Sequence, residues 1–483
     1  MLCCAGAGTG GDMSRKQDLV VIGGGPGGLV VASVAAQVGL KVTLIEKSAF
    51  LGGDCLHSGC VPSKALIHMA RTAHATRTGV SEGLLASMPA IDFGKAIDHV
   101  NRVIASIQVH DDPDRFRDYG CDVRFGAARF ISPHEVTVAG ETITGKRFVI
   151  ATGSIPAVPP IPLLEKAGFD TNETIFKQRS LPEQLAVIGG GPIGVELAQA
   201  FARFGSKVTI IEMADRLLVN EDRAASLLLQ DHLEKEGIEI ITAVQVAGIH
   251  REGDSRQLVL SNDKTLDCDR VLVATGRRPV VHDLGLETAG VEFGPGGITV
   301  DRRLRTSQKH IYAVGDVCGP YQFTHMAEYQ AGIALANIVF RLPRKTDYRV
   351  VPRVIYTDPE VAAVGIMEDE AAAQGIKYHV AEFPMADIDR AVTDNATTGL
   401  SRILICKGRV IGASLIGPHA GELVHELALA MQVNAKVKAI SALAHAYPTY
   451  AQIHRRTINK SYAHLLQSKT TRSLVWLLNR MLP

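Results

Sequence analysis

The hydrophobic pattern near the start of the chain predicts a strand, a tight turn, a helix and a second strand. The almost wholly apolar run at 18–22 is typical of a strand buried in a parallel sheet. It leads into GGGPGG at 23–28, an Ala/Val-rich helical stretch over Leu29–Val38, and an apolar strand over Lys41–Ile45 that ends at Glu46. This succession predicts a strand–helix–strand unit of an α/β fold.

The same pattern recurs between residues 184 and 212. An apolar run at 186–188 precedes GGGPIG at 189–194, and a predicted helix over Val195–Phe204 follows. A strand over Lys207–Ile211 then ends at Glu212, as the first unit ends at Glu46. The chain therefore contains an internal repeat of one strand–helix–strand unit.

Both turns fit the pattern G-x-G-x-x-G, which is typical of dinucleotide-binding units. Such glycines permit a tight turn and let backbone N–H groups approach a pyrophosphate at a helix N-terminus. An acid about 20 residues later is placed to accept hydrogen bonds from a ribose hydroxyl. The pattern predicts two dinucleotide sites, built on Gly23, Gly25, Gly28 and Glu46 and on Gly189, Gly191, Gly194 and Glu212.

Glu212 also bears on the coenzyme of the second site. A carboxylate repels a 2′-phosphate and accepts from a free 2′-hydroxyl, so the second site is expected to prefer NADH to NADPH. Arg216 lies close enough in sequence to weaken that preference.

Two apolar strands lead into the same tripeptide. Phe148–Ile150 precedes Ala-Thr-Gly, and Val271–Val273 precedes Ala-Thr-Gly-Arg. Such strand ends suit the crossings of the chain between one nucleotide domain and the other. The candidate positions are Ala151, Thr152, Gly153, Gly276 and Arg277.

A further buried strand is predicted over Ile311–Ala313, followed after Val314 by Gly315 and Asp316. In the context of two dinucleotide units, the Asp316 carboxylate is placed to bond the ribityl hydroxyls of a flavin.

Composition narrows the class of protein. The 483 residues suggest about three domains. Lys and Arg number 51 and Asp and Glu 50, so no net field favours nucleic acid or an acidic partner. No apolar run approaches the length of a membrane span, and the scattered cysteines indicate a reducing compartment. We expect a soluble, cytoplasmic protein with a flexible extension over 1–17, where the adjacent Cys3 and Cys4 are a fortuitous pair.

The strongest chemical signal is the segment GGDCLHSGCVPSK at 52–64. Cys55 and Cys60 are close enough in sequence, across a glycine-rich turn, to reach disulfide geometry. The pair follows a dinucleotide-binding unit, where a cofactor can pass electrons to it. The segment therefore predicts a working redox disulfide rather than a structural one.

These motifs together resemble the class I pyridine nucleotide-disulfide oxidoreductases, a family that includes dihydrolipoamide dehydrogenase, glutathione reductase and mercuric reductase. The resemblance covers about residues 18–465 and rests on the order GxGxxG, GGxCxxxxCxPSK, ATG, GxGxxGxE, ATGRRP and GD. It implies a homodimeric enzyme that binds FAD and NAD(H). With Glu212 in the second site we expect NADP(H) to be the less favoured coenzyme, and we predict no metal-ligating residues.

The resemblance also implies a division of the chain into domains. Residues 18–154 and 277–345 would form an FAD-binding domain, 155–276 an NAD(H)-binding domain, and 346–466 a dimerisation domain. The predicted fold class is thus α/β, with two Rossmann-like dinucleotide-binding domains and a C-terminal α+β dimerisation domain. A β-like run over Val350–Glu360 marks the start of the last domain.

Roles for single residues follow from the same resemblance. Cys60 would be the sulfur beside the flavin and Cys55 the thiol that attacks substrate. Lys64 and Glu196 match an ion pair between the nicotinamide and the flavin. Lys47 and Gly53 join the cofactor-binding positions.

The chain departs from the pattern at 445–452, which reads HAYPTYAQ. Dihydrolipoamide dehydrogenase and glutathione reductase have a His-Pro followed by a Glu, which act as base and orienting acid. Here Tyr447 takes the histidine position and Gln452 the glutamate position. Histidine titrates near neutrality and tyrosine near pH ~10, so proton delivery to a leaving thiol is in question. His445 is the alternative base; its other interpretation is a packing residue.

The sequence therefore predicts an oxidoreductase that passes electrons from NAD(P)H through FAD to the Cys55–Cys60 pair and on to an unassigned small-molecule or metal-ion acceptor. Mercuric reductase also has a tyrosine at this position. The alternatives are dihydrolipoamide dehydrogenase, with His445 as base, and a flavin-bound redox sensor without sustained turnover.

The segment 467–483 lies outside the family core. Its apolar residues recur at helical spacing among Lys469, Arg472 and Arg480, which predicts a short basic amphipathic helix. Such a helix either packs on the dimer or lies on an anionic membrane surface.

Overall fold

The computed structural model describes residues 15–253, 255–466 and 468–481, so the Cys3–Cys4 pair lies outside the described residues. The chain forms two compact units. The first consists of Met1–Pro62, Asn101–Ala157 and Arg277–Thr346, and the second of Ser63–Val100, Val158–Gly276 and Asp347–Pro483. The predicted FAD, NAD and dimerisation domains divide the chain differently, since they place residues 63–100 with the FAD domain, and that division stays a prediction.

The core of the first unit is a five-stranded parallel sheet. Its strands lie in the order Ile311–Ala313, Phe148–Ile150, Leu19–Ile22, Val42–Glu46 and Cys121–Phe125. The strands at its centre are buried along their whole length, as expected where helices cover both faces. The apolar runs of the sequence therefore became the strands that they predicted.

A smaller sheet completes this unit, with Arg15–Gln17, Glu141–Gly145, Glu135–Val138 and Arg129–Ser132 in that order. Short strand pairs join Ser154–Pro156 to Arg277–Pro279 and Phe293–Gly294 to Gly297–Ile298. The helices are Pro26–Gln37, Gly53–His57, Pro113–Asp118, Leu286–Ala289 and Thr324–Ile338. Helices Cys60–Ser81 and Phe93–Gln108 run through the points where the chain passes from one unit to the other.

The second unit repeats the parallel architecture in its first sheet. Strands Glu239–Ile241, Lys207–Ile211, Gln184–Ile188 and Arg270–Val273 lie in that order, and all pair in parallel. An antiparallel sheet of Val246–Glu252, Ser255–Leu260 and Thr265–Cys268 accompanies it. The helices here are Leu164–Ala167, Pro192–Phe204 and Arg223–Lys235.

A five-stranded antiparallel sheet forms the rest of the second unit. Its order is Arg353–Ile355, Glu360–Gly365, Arg409–Gly417, Leu400–Cys406 and His379–Pro384. The single β-like run predicted over Val350–Glu360 is two strands joined by a turn, because Pro359 cannot continue a ladder. The helices are Glu368–Ala373, Asp389–Thr393, Ala420–Gln432, Val437–Ala442, Gln452–Leu466 and Lys469–Met481.

The predicted fold class is confirmed: two parallel α/β sheets and a C-terminal α+β sheet occur in the expected chain order. Both predicted helices start three residues earlier than the apolar pattern indicated, at Pro26 and Pro192. Proline is favoured at the first helical position because its missing N–H costs no hydrogen bond there. Within the described residues, no helix is both long and apolar enough to cross a membrane.

Candidate active site

The first glycine turn has room only for glycine at two of its three motif positions. A Cβ on Gly23, where φ is +110°, would lie 2.2 Å from the Ala151 carbonyl oxygen. A Cβ on Gly28 would lie 1.9 Å from the carbonyl oxygen of Gly23. At Gly25, the N-cap of helix Pro26–Gln37, a Cβ would meet only the Cα of Gly53 at 3.9 Å. The open side of the turn thus lies at a helix N-terminus, which fits a pyrophosphate.

Glu46 is fixed against this turn. Its Oε2 accepts from the backbone N–H of Gly24 at 2.7 Å, and its Oε1 accepts from Ser48 N–H at 2.7 Å. Each carboxylate oxygen keeps a further lone pair, so the residue fits the ribose-binding role that the sequence predicts. Lys47, beside it, is exposed.

The second turn repeats this geometry in the other unit. A Cβ on Gly189 would lie 2.5 Å from the Ala274 carbonyl oxygen, and one on Gly194 would lie 2.0 Å from Gly189 O. Around Gly191 there is open space. Glu212 accepts from Gly190 N–H at 2.6 Å through Oε2 and from Ala214 N–H at 2.8 Å through Oε1.

Arg216 is committed to the protein backbone. Its guanidinium donates to the carbonyl oxygens of Leu217, Leu218 and Val219, and the residue is 6% exposed. A buried side chain held by three carbonyls is not free to move to a 2′-phosphate. We therefore do not expect Arg216 to weaken the predicted preference of the second site for NADH.

The two cysteines of the redox segment lie side by side as thiols. Cys55 belongs to the short helix Gly53–His57, and Cys60 is the first residue of helix Cys60–Ser81. Their hydrogen bond, together with burial, raises the pKa of the Cys55 thiol well above its ordinary value. The Cys60 sulfur also lies 3.4 Å from the Thr324 hydroxyl oxygen. This is the arrangement of a reduced pair that oxidation can convert to a disulfide.

A polar network connects the cysteine segment to the predicted flavin positions of the same unit. The Arg277 guanidinium lies 2.8 Å from the Asp54 carboxylate and donates to the Ser154 hydroxyl at 2.7 Å. That hydroxyl donates to Asp316 at 2.5 Å, and burial raises the pKa of the Asp316 carboxyl.

The remaining strand-end residues occupy the turns around this network. Thr152 donates its hydroxyl to Val280 O at 2.8 Å, and Ala151 N–H donates to Ile22 O. Gly153, Gly276 and Gly315 have φ values of +68°, +120° and +78°, which only glycine adopts readily.

In the second unit, Lys64 and Glu196 form the predicted ion pair. Lys64 Nζ lies 2.9 Å from Glu196 Oε2, and their side chains are 34% and 6% exposed. The other carboxylate oxygen accepts from the backbone N–H of Tyr356 at 2.9 Å. The ring of Tyr356 lies under the same ammonium, with its centroid 4.4 Å from Lys64 Nζ.

The three candidate catalytic residues at 445–452, where the chain differs from the family pattern, lie in different environments. Tyr447 is 69% exposed, and Gln452 is the first residue of helix Gln452–Leu466. The His445 side chain is only 4% exposed, and its Nε2 lies 3.2 Å from both carboxylate oxygens of Glu426. An extended chain would have put His445 and Tyr447 on one side, but the His445 side chain is buried and Tyr447 is exposed.

Sequence reasoning missed four partners of the predicted residues: Ser154, Thr324, Tyr356 and Glu426. Ser154, Thr324 and Tyr356 contact residues 160 or more positions away along the chain, and Glu426 contacts His445 19 positions away. None of the four belongs to a motif that would have identified it. Ser154 alone had a signal, since it directly follows the Ala-Thr-Gly strand end.

Comparison with known proteins adds a family match over most of the chain. Residues 17–331 match the model described as pyridine nucleotide-disulphide oxidoreductase, and residues 351–457 match the dimerisation domain of the same name. Dihydrolipoyl dehydrogenase of Geobacillus stearothermophilus is 35% identical, over 92% of this chain and 96% of the relative. Mercuric reductase of Staphylococcus aureus is 32% identical, over 90% of this chain and 80% of the relative.

Among solved structures, the chain is similar to the Cu(II) complex of RclA, an HOCl-induced flavoprotein disulfide reductase from Escherichia coli. The TM-score is 0.84 and the identity 31%, over 92% of this chain and 99% of the other.

Proposed function

This chain belongs to the pyridine nucleotide-disulphide oxidoreductase family, and we propose that it passes electrons from NADH to an acceptor that needs no proton from position 447. Members of the family are NAD(P)H-dependent flavin disulfide oxidoreductases that bind FAD, and the matched dimerisation domain supports a homodimer. The nature of the acceptor, the preference for NADH and a cytoplasmic location are parts of this proposal. In the cytoplasm, thiols such as Cys121, Cys268 and Cys318 stay reduced.

The single observation that carries the proposal is the chemistry at 447–452. Tyr447 and Gln452 stand where dihydrolipoamide dehydrogenase has a histidine and a glutamate, and a neutral phenol is a poor proton shuttle near pH 7. A thiol leaving group needs such a shuttle, whereas a metal ion that takes electrons does not. The names of two similar proteins, a mercuric reductase and a Cu(II) complex of a disulfide reductase, support a soft metal ion as the acceptor.

The chain's residues then have the following roles. A bound flavin supplies the transfer of two electrons from NADH to the cysteine pair. Cys55 and Cys60 bind a soft cation as thiolates, because thiolate sulfur is the ligand such cations prefer, and their two protons pass to water. Formation of the Cys55–Cys60 disulfide then releases two electrons to the metal, so that two Cu²⁺ become two Cu⁺. Lys64 and Glu196 hold a fixed charge pair where the nicotinamide is to bind.

An acceptor screen with the purified holoenzyme tests this proposal. We expect NADH oxidation to be fast with Cu²⁺ or Hg²⁺ and slow with lipoamide. Tyr447→Phe should retain both rates within about threefold, since the phenol transfers no proton in the proposed reaction. Cys55→Ser should abolish metal-dependent turnover. Full activity of Cys55→Ser with the best acceptor would contradict the role of the pair, because electrons would then leave directly from the flavin.

A second candidate, dihydrolipoamide dehydrogenase, is favoured by the contact of His445 with Glu426 at 3.2 Å, which resembles a base with its orienting acid. The 4% exposure of the His445 side chain weighs against it. Rapid reoxidation of the NADH-reduced enzyme by lipoamide in stopped flow, lost in His445→Gln, would establish this second function instead.

We also propose that the helix Lys469–Met481 binds an anionic membrane surface. Its described apolar side chains are about half exposed or more, as for Leu474 at 54%, Leu478 at 48% and Met481 at 73%. The chain has no acidic residue after Glu426, whereas eight cations follow: Lys436, Lys438, Arg455, Arg456, Lys460, Lys469, Arg472 and Arg480. Apolar area combined with one sign of charge fits a bilayer of anionic lipid better than a second copy of this basic segment.

Trp476, the only tryptophan, makes this contact measurable. We expect its emission to shift to the blue with vesicles of phosphatidylcholine and phosphatidylglycerol, and not with phosphatidylcholine alone. Leu474→Ser with Leu478→Ser should reduce co-sedimentation about tenfold or more, and Leu84→Ser, at a leucine elsewhere that is 78% exposed, should not. Unchanged binding, or a double variant that changes only the oligomeric state, would contradict the membrane contact.

A further inference from the structure

Tyr356 is held against both members of the Lys64–Glu196 pair. Its backbone N–H donates to Glu196 Oε1 at 2.9 Å, while Lys64 Nζ donates to Glu196 Oε2 at 2.9 Å. The two carboxylate oxygens thus each have a different donor. The aromatic ring lies 4.4 Å from the same Nζ, which is the distance of a cation–π contact.

The backbone that carries Tyr356 is anchored by a basic side chain from helix Cys60–Ser81. Arg71 Nη2 lies 3.4 Å from Tyr356 O, 3.1 Å from Thr357 O and 3.2 Å from the Glu360 carboxylate. Lys64 belongs to the same helix. Helix Cys60–Ser81 therefore supplies both the Lys64 ammonium and the Arg71 guanidinium that holds the backbone of Tyr356.

A second helix holds the other end of this turn. Gln199 of helix Pro192–Phe204 accepts from Asp358 N–H at 2.8 Å and donates to Asp358 O at 2.6 Å. Arg203 of the same helix lies 2.8 Å from the Asp358 carboxylate. Glu196 also belongs to this helix, so the turn is fixed to the supports of both charged residues.

The ring of Tyr356 is not an ordinary core side chain. Tyr356 is 36% exposed, and its ring lies against the Lys64 ammonium. A lysine has a flexible four-carbon stem that ends in a point charge, so every contact at its tip restricts the rotamers open to it. A ring face against the ammonium adds such a restriction to the one made by Glu196.

We infer that Tyr356 is a positioning residue for hydride transfer, whose ring fixes the Lys64 ammonium in the orientation set by Glu196. The inference rests on the proposed roles of Lys64 and Glu196. Tyr356 acts through the electrons of its ring and not through its hydroxyl. The rate of flavin reduction by NADH should therefore follow the strength of the cation–π contact.

The test is a series at position 356 in the full-length holoenzyme. Tyr356→Phe keeps the ring, mono-, di- and trifluorophenylalanine weaken its negative face at nearly constant size, and Tyr356→Leu removes it. Stopped-flow reduction by NADH should be within about twofold of the parent for Phe, fall steadily with each fluorine, and be about fivefold slower for Leu. Tyr462→Leu, a tyrosine 37% exposed, serves as the matched control and should leave the rate unchanged.

Two outcomes separate the inference from the function on which it rests. If Glu196→Gln and Lys64→Met slow flavin reduction but the fluorinated series is flat, the positioning role of Tyr356 is wrong. If neither Glu196→Gln nor Lys64→Met has an effect, the proposed role of the ion pair is wrong. A fall caused by lost folding would appear in the melting temperature and would not follow the number of fluorines.

Discussion

At the scale of single residues, Glu46 and Glu212 perform the same structural task in different units. Each accepts two backbone N–H groups, one from the glycine turn and one from two residues beyond itself. The carboxylate is thereby oriented before any ribose arrives. Because Arg216 is committed to three carbonyls, we expect Glu212 to decide the preference between NADH and NADPH.

Glu212→Gln should weaken the discrimination between the coenzymes. The amide no longer repels a 2′-phosphate and keeps only one acceptor oxygen, so the ratio of kcat/KM for NADH over NADPH should fall about tenfold or more. Steady-state kinetics with both coenzymes measures this ratio. The matched variant Glu46→Gln should leave the ratio unchanged and reduce FAD retention instead; an altered ratio there would contradict the assignment of the two turns.

The glycines of the first turn should separate folding from cofactor binding. A Cβ at Gly28 would overlap Gly23 O at 1.9 Å, so Gly28→Ala should yield little folded protein. A Cβ at Gly25 has space in the apoprotein, so Gly25→Ala should fold and lose FAD. Circular dichroism and the visible absorbance of bound flavin distinguish the two results. Flavin retention by Gly25→Ala would place the pyrophosphate elsewhere.

At the scale of elements, a buried ionic network joins helix Pro192–Phe204 to the end of helix Arg223–Lys235. Arg203, whose side chain is 4% exposed, lies 2.5 Å from Glu236 and 2.8 Å from Asp358. Burial raises the pKa of the Glu236 carboxyl, but hydrogen bonds from His232 and Arg203 outweigh it and lower the pKa to about 2. These elements are held together by charge as well as by apolar contact.

The lowered pKa of Glu236 predicts a pH window. A carboxyl whose pKa is about 2 in the folded protein and has its ordinary value of 4.5 in the unfolded chain stabilises the protein above pH 4.5. The contribution is lost as the pH falls from there towards 2. Glu236→Gln should reduce the free energy of unfolding by ~3 kcal/mol at pH 7, and the difference from the parent should shrink in acid.

Urea unfolding at several pH values measures this difference. Glu234→Gln, which changes an exposed acid of the same helix, should have little effect at any pH. A difference for Glu236→Gln that stays constant into acid would contradict the role of its charge.

The elements also show what the sequence could and could not reveal. Strands such as Leu19–Ile22 and Lys207–Ile211 were predicted because buried parallel strands are continuously apolar. The contact of Tyr356 with Glu196 was not, because the two residues are 160 positions apart and meet only in the folded chain. The His445–Glu426 contact spans only 19 positions and was not predicted because the two residues share no motif.

At the scale of the whole molecule, the dimerisation domain leaves apolar side chains on its surface. Leu429 and Val433 are each 63% exposed, and Leu443 is 50% exposed. They lie within the segment 351–457 that matches the dimerisation model. A second copy of the chain would remove this apolar area from water.

Leu429→Arg should therefore produce a monomer. Sedimentation velocity should give twice the 51.7 kDa chain mass for the parent and a single chain for the variant, since a charge buried without a partner disfavours association. Leu84→Arg, at a leucine 78% exposed outside this segment, is the control and should remain dimeric. A dimeric Leu429→Arg would place the interface on another face.

The paired glutamate contacts of the two glycine turns have a consequence for any change of coenzyme. The turns share their glycines and also the same pair of backbone-to-carboxylate contacts. An exchange of Glu212 made to accept a phosphate would therefore remove two contacts that support its turn in the same step. A redesign of the second site for a phosphorylated coenzyme has to restore the support of the turn as well as the shape of the pocket.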